Sequence, residues 1–284
     1  MGLTNLADVT AQIQKFWAPV FTKELRESLL LGSLVERKYS GDIKNQGNSV
    51  TISQVNSPTG QLLTVGTNAD VFDSEVVSMS HIHLTADKRA VAAYEIHDLA
   101  KLQSQLDSQD SELMDSLKYA VGKQINDYLY TLVNPSTATP DHLVSGNTDC
   151  NAATLSALRL LASVAKWPTN NRYGLLDPSY MSDVMDDTTL SSSLYGASDA
   201  PMISGQVGLS RFGFKLFEDN SRSTDTAIFF IPEWLNMVMQ PEVTVKLSDL
   251  HSAKKFGYLL SVDIVFGAAL GINGNVKHIK LYNS

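Results

Sequence analysis

The chain has 284 residues and a net charge of −8, and its 22 Lys and Arg are scattered with no basic run, which excludes gripping nucleic acid along a basic groove. Hydrophobic residues make up 43% and charged residues 18%; the second figure is below the ~25% usual for soluble domains and points to surface that a partner covers. The single cysteine, Cys150, excludes an internal disulfide.

The N-terminal MGLTNLADVTAQIQKFW lacks the apolar core of a signal peptide, and no apolar run reaches the roughly 18 residues of a membrane helix. The expectation is a soluble chain made in the cytosol, with no propeptide removed. Residues 4–35 read as helical pieces, with Leu25, Leu29 and Leu30 recurring until Gly32 interrupts them. Trp17, Pro19 and Phe21 form a kinked aromatic stretch before them, and Tyr39-Ser40-Gly41 reads as a turn.

Two β-rich segments follow, 48–56 and 76–86. Between them lie about twenty residues with turn chemistry (Pro58, Gly60, Gly66, Asn68) and an apolar run, Leu62-Leu63-Thr64-Val65. Antiparallel pairing makes this a long hairpin with a large tip. An arm that cannot bury Leu62, Leu63 and Val65 within its own subunit buries them on a neighbour; the alternative is that it folds back on its own subunit.

Residues 107–133 carry the strongest helical pattern, with Leu113, Leu117, Val121, Ile125, Leu129 and Leu132 at i, i+3/i+4 spacing. Ser108 suits the N-cap, Asp110 and Glu112 suit the first turn, and Pro135 closes the helix. At 1.5 Å per residue this is a spine of roughly 38 Å. A polar loop is expected over 134–152, a helix over 153–166 ended by Trp167-Pro168, a strand over 172–176, an Asp177-Pro178 turn, a third helix from Ser179, and a Ser-rich loop over 188–204. The remainder reads as strands at 211–217, 226–231, 236–247, 258–268 and 276–282, with Trp234 packed beneath a strand.

No catalytic constellation stands out. His81 and His83 share a strand face but lack the cysteine or carboxylate partners of a zinc site, and His97 reads as the start of a helix. Asn68, Asp70, Asp73 and Glu75 lack the spacing of a calcium loop, Asp186-Asp187 reads as a solvated helix end, and Cys150 has no adjacent histidine. The glycines at 205–208 and 271–274 are not followed by the Lys-Ser/Thr of a phosphate loop. No catalytic residue, metal ligand or cofactor is assigned.

In order along nearly the whole chain, FWAPVFTKELRESLLLGSLVERKYSGDIKNQGNSVTI, the arm, AAYEIHDLAKLQSQLDSQDSELMDSLKYAVGKQINDYLYTLV, RYGLLDPSYMSDVMDD, GQVGLSRFGFKLFEDNS, PEWLNMVMQPEVTVKL and KKFGYLLSVDIVFGAALGINGNVKHIKLY resemble the major capsid (coat) proteins of tailed double-stranded DNA bacteriophages, of Hong Kong 97 type fold. The resemblance implies an α+β fold. Residues 1–47 would be an N-terminal arm and 48–86 the extended loop; 87–150 would be a peripheral domain whose short helix and spine helix span 92–133. Residues 151–240 would be an axial domain with a central sheet flanked by helices, and 241–284 strands returning to the peripheral domain.

The implied function is a non-enzymatic structural one: self-assembly into hexamers and pentamers of an icosahedral shell that encloses double-stranded DNA without sequence-specific binding. The implied partners are other copies of the chain, a separate scaffolding protein, a portal and a decoration protein, with no membrane. The location would be the virion, assembled in the host cytoplasm. Trp17, Phe21, Pro58, Leu62, Leu63 and Val65 are the expected inter-subunit contacts. Some relatives form a Lys–Asn isopeptide from this loop; the tip from Pro58 to Ser74 has no lysine, which argues against that cross-link. The competing readings are an encapsulin-like cellular compartment, a tail or baseplate subunit, and an enzyme with a lid at residues 57–75.

Overall fold

The computed structural model of the chain describes residues 26–27, 29–41, 49–63, 72–97, 110–133, 142–191, 212–222, 225–240, 244–251, 254–271 and 278–283. Three sheets organise them. Strands β1 (Ser49–Val55) and β2 (Met79–Thr85) pair antiparallel as a separate two-stranded ribbon, from Ser49 opposite Thr85 to Val55 opposite Met79.

The second sheet is built on one long strand, β10 (Gly257–Leu270). One edge of β10 pairs with β3 (Lys88–His97), from Gly257 opposite His97 to Phe266 opposite Lys88. Its other edge is shared by β9 (Thr244–Asp249) and β8 (Leu235–Met239). Helix α1 (Leu30–Leu34) and the long helix α2 (Asp110–Val133) lie with this sheet. The buried stripe of α2 is Leu117, Val121, Ile125, Leu129 and Val133, spaced by four and facing β3 and β10. Tyr128 adds an edge-to-face contact with Phe266 at 5.4 Å between ring centroids. Residues 26 and 27 are tied to α2: Arg26 Nη2 donates to Ser116 Oγ at 2.8 Å, and Lys123 pairs with Glu27 at 2.6 Å.

The third sheet has the order β4 (His142–Val144), β11 (Ile279–Tyr282), β7 (Thr226–Phe230), β5 (Arg172–Leu176), β6 (Phe214–Glu218). Its outer pairs are parallel and its inner pairs antiparallel. All five residues of β7 are buried, as expected of a central strand. Helix α3 (Ala152–Val164) starts at Asn151, whose Oδ1 accepts from Thr154 N at 3.0 Å, and buries Leu155, Leu158 and Ala162. Helix α4 (Pro178–Asp186) has Pro178 in its first turn. Its N-cap, Asp177, is buried and accepts the backbone N–H of Ser179, Tyr180 and Asp225. A one-turn helix, α5 (Thr188–Ser191), follows. A continuous apolar core runs from Leu31 and Leu117 through Trp234 to Phe229 and Leu281, so the two larger sheets share buried side chains.

Several expectations are corrected. Residues 88–97 form a strand, so the stretch 92–133 that resembles the short helix and spine helix opens in a strand, and His97 closes that strand instead of starting a helix; residues 98–109 lie outside the described residues. Ala90 and Ile96 are buried on one face of the strand, and the edge-to-edge pairing of ten residues with β10 outweighs the helix propensity of Ala and Glu. The segment 236–247 is two strands, β8 and β9, which occupy successive lengths of the same edge of β10. Strand β8 therefore joins the β10 sheet although it lies within 151–240. Strand β11 joins the five-stranded sheet, so residues 241–284 do not return together. Strand β4 lies within the expected polar loop 134–152 and is held by parallel pairing to β11.

Candidate functional site

The feature that stands apart from the core is the β1–β2 arm. Its root is seated by burial: Leu84, Ala86 and Val238 form a small core of their own, joined by Val50, Ile52, Val265 and Ala269. Gly267 of β10 makes this seat possible, because a Cβ there would collide with the backbone carbonyl of Thr85 at the end of β2.

Beyond the root the arm is solvated. Every described residue from Ser53 to Leu63 and from Phe72 to Met79 is exposed. The two legs nevertheless stay in register past the end of the ladder. Asn56 N donates to Ser78 O at 3.0 Å, Thr59 N donates to the Glu75 carboxylate at 3.2 Å, and Asp73 N donates to Gln61 Oε1 at 3.0 Å. These contacts extend the Ser49-to-Thr85 pairing to Gln61 and Asp73 without a slip. Of the expected twenty-residue structureless tip, residues 56–61 and 73–78 are thus held in register, and residues 64–71 lie outside the described residues. In that register Leu62 stands opposite Phe72 and Pro58 opposite Val76.

The arm is also unusually apolar for exposed surface. Among the described residues, seven of the fourteen large exposed hydrophobics lie on it: Val55, Leu62, Leu63, Phe72, Val76, Val77 and Met79. Leu62 is fully exposed and Val76 is 92% exposed. A soluble monomer rarely concentrates apolar side chains on so narrow a projection, so the arm has the character of an interaction surface. Solvent on both legs does not fit a lid closed over a pocket, nor an arm folded back on its own subunit.

Of the expected contact residues, Pro58, Leu62 and Leu63 stand together on this arm, while Trp17, Phe21 and Val65 lie outside the described residues. Sequence reasoning missed Phe72, Val76 and Val77. Phe72 was hidden among Asp70, Asp73 and Glu75, and the Val-Val pair reads as the start of a strand; their signal is apolar residues directly across the hairpin from Pro58 and Leu62.

The other singled-out groups have local structural partners. His83 and His81 face Thr51 Oγ1 at 3.0 Å and Ser53 Oγ at 2.8 Å across the ribbon. Asp187 accepts from Ala152 N at 2.7 Å and Thr189 N at 2.8 Å, so it fastens the start of α3 and is no solvated end. Those bonds hold its carboxyl below its ordinary pKa. Cys150 is fully buried, and burial, assisted by Asp183 and Asp177, pushes its thiol up to about 12. Burial likewise raises the Asp183 carboxyl. Among the described residues no group of three or more His, Cys, Asp or Glu has the arrangement of a metal site, and no helix is long and apolar enough to cross a membrane.

No family model matches the chain, and no curated protein does. Solved structures do, over nearly the full length of both chains. A structure from Mycobacterium phage Che8 is 17% identical with a TM-score of 0.78, covering 98% of each chain. The capsid structure of cyanophage P-SCSP1u is 16% identical with a TM-score of 0.76, covering 97% of this chain and 94% of that one. The capsid asymmetric unit of cyanophage Pam1 is 13% identical with a TM-score of 0.73, covering 99% of both. The chain therefore has the fold of the Che8 phage structure and of the two cyanophage capsid structures, in agreement with the Hong Kong 97 type expected from its sequence.

Proposed function

We propose that this chain is a shell-forming major capsid protein of a tailed double-stranded DNA phage, a structural protein with no reaction of its own. The observation that carries the reading is an exposed apolar arm on a phage capsid fold. In this account the arm lies across the adjacent subunit of a hexamer or pentamer, with Pro58, Leu62, Leu63 and Val65, together with Trp17 and Phe21 of the N-terminal segment, as inter-subunit contacts. Burying one Leu or Phe side chain stabilises a contact by about 2 kcal/mol. Each interface is then modest alone and strong when repeated around a closed ring.

The β10 sheet with α2 serves as the peripheral domain, the five-stranded sheet with α3 and α4 as the axial domain, and residues 1–47 as the N-terminal arm. The shell forms in the host cytoplasm with a separate scaffolding protein, a portal and a decoration protein. It encloses DNA without sequence-specific contact, in keeping with the charge of −8 and the scattered basic residues. Negative-stain electron microscopy with light scattering, on the chain alone and co-expressed with its neighbouring genes, tests this. Closed shells, rings of five or six, or curved sheets support it; a small monodisperse particle in both preparations overturns it.

A further inference from the structure

The C-terminal end of α2 meets the five-stranded sheet at an open cavity of about 230 Å³ lined by Tyr130, Arg222, Lys280, Ser221 and Ile228, with exposed Asp127 as a further wall. Two cations face it. The Arg222 guanidinium lies over the Tyr130 ring at 5.0 Å, and its Nε donates to Thr226 Oγ1 at 3.3 Å. Its Nη1 is buried and has no hydrogen-bond partner. A buried charged donor without an acceptor is costly, so such an atom calls for an explanation.

Asp219, whose charge acts favourably on Arg222, does not supply that acceptor. Asp219 is fully buried, but its Oδ1 accepts from Ser221 N at 3.0 Å and Ser221 Oγ at 2.7 Å, and its Oδ2 accepts from the Tyr130 hydroxyl. None of these bonds goes to Arg222. Lys280 is half-buried and touches the Tyr282 ring at 5.5 Å. Burial and the charge of Arg222 both hold its ammonium below the ordinary lysine pKa, the signature of two cations that share a space. The carbonyl end of α2 favours cations here, yet it leaves Nη1 unbonded.

We propose that this cavity binds a small oxyanion of the phosphate class, held by the Arg222 fork and the Lys280 ammonium, which clamps α2 to the five-stranded sheet. Arg presents a planar set of donors and Lys a point charge, the pair of chemistries that suits a phosphate group. Asp127 lines the same cavity and opposes any anion there, so the two cations together have to outweigh it, and a free ion is told from a nucleic-acid phosphate by the test. The inference does not depend on shell assembly.

The test is thermal unfolding of the full chain in about 20 mM inorganic phosphate against chloride at equal ionic strength. Phosphate raises Tm by a few degrees, and Lys280→Met, checked for folding by circular dichroism, weakens the apparent affinity roughly tenfold. In chloride the same variant is no less stable than the parent, because it removes a cation facing Arg222. Equal Tm in phosphate and chloride overturns the proposal, as does a full phosphate response in Lys280→Met. A short oligothymidylate that stabilises the parent more than inorganic phosphate at equal phosphate concentration overturns the assignment to a free ion.

Discussion

Gln61 and Asp73 face each other across the arm, with Asp73 N donating to Gln61 Oε1 at 3.0 Å and Gln61 Nε2 reaching back to Asp73 O at 3.4 Å. The side-chain amide of Gln61 stands in for a backbone rung, so the hairpin register survives past the last ladder pair. The Glu75 carboxylate does the same for Thr59 N. The arm is therefore a narrow two-legged strut that presents its apolar residues in a fixed order before any partner arrives, which lowers the ordering cost of docking.

Removing these rungs loosens the arm alone. In Gln61→Ala with Glu75→Ala, amide exchange at Thr59 and Asp73 speeds up, while global stability by urea unfolding changes by no more than about 0.5 kcal/mol. A loss of several kcal/mol would mean that the arm is part of the cooperative core.

The apolar residues opposite Pro58 and Leu62 matter as much as those on the first leg. Phe72→Asp with Val76→Asp leaves Tm unchanged, since both side chains are exposed at 73% and 92%, and abolishes assembly in light scattering. Leu62→Asp with Leu63→Asp behaves alike. Normal assembly by the first pair would restrict the contact to residues 58–65.

Asp187 gives a pH-dependent contribution of known sign. Its folded-state pKa is depressed by the Ala152 N–H and then the Thr189 contacts, so between the folded and unfolded values the unfolded chain binds more protons. The stabilisation is fully present above the unfolded pKa of about 4 and is lost as pH falls through the lower folded value. Asp187→Asn therefore destabilises the chain at pH 7, and the gap to the parent closes only in acid below about pH 4, read by urea unfolding across a pH series. The Asp183 carboxyl, raised by burial, acts with the opposite sign and is present in both proteins, so the difference isolates Asp187.

Cys150 reports on the core beside α3. Fully buried, with its thiol pushed up to about 12, it resists iodoacetamide at pH 8 in the native chain and reacts on unfolding in urea. Rapid native labelling would show that the segment from Asn147 to Asn151 opens locally.

Local chemistry made much of this fold legible. The α2 stripe from Leu117 to Leu129, a helix just after Asp177 and the alternation of β1 and β2 are all set by neighbours within a few residues and lie where the sequence places them; Val133 is buried in place of Leu132, the helix starts at Pro178 and not Ser179, and Ser108 lies outside the described residues. The differences lie where a distant strand decides. Lys88–His97 is a strand because β10 offers it a ten-residue edge, and Ile279–Tyr282 enters the five-stranded sheet because β7 and β4 flank it there. At the arm, Leu62 and Leu63 were readable as an apolar run without a local partner. Phe72, Val76 and Val77 were not, because their grouping exists only across the hairpin.

The most direct test of the central claim, that the arm joins subunits, is electron microscopy of the intact chain beside one lacking residues 59–73. The account predicts shells, rings or curved sheets from the intact chain and folded, unassembled monomers from the shortened one. Shells from the shortened chain would contradict it.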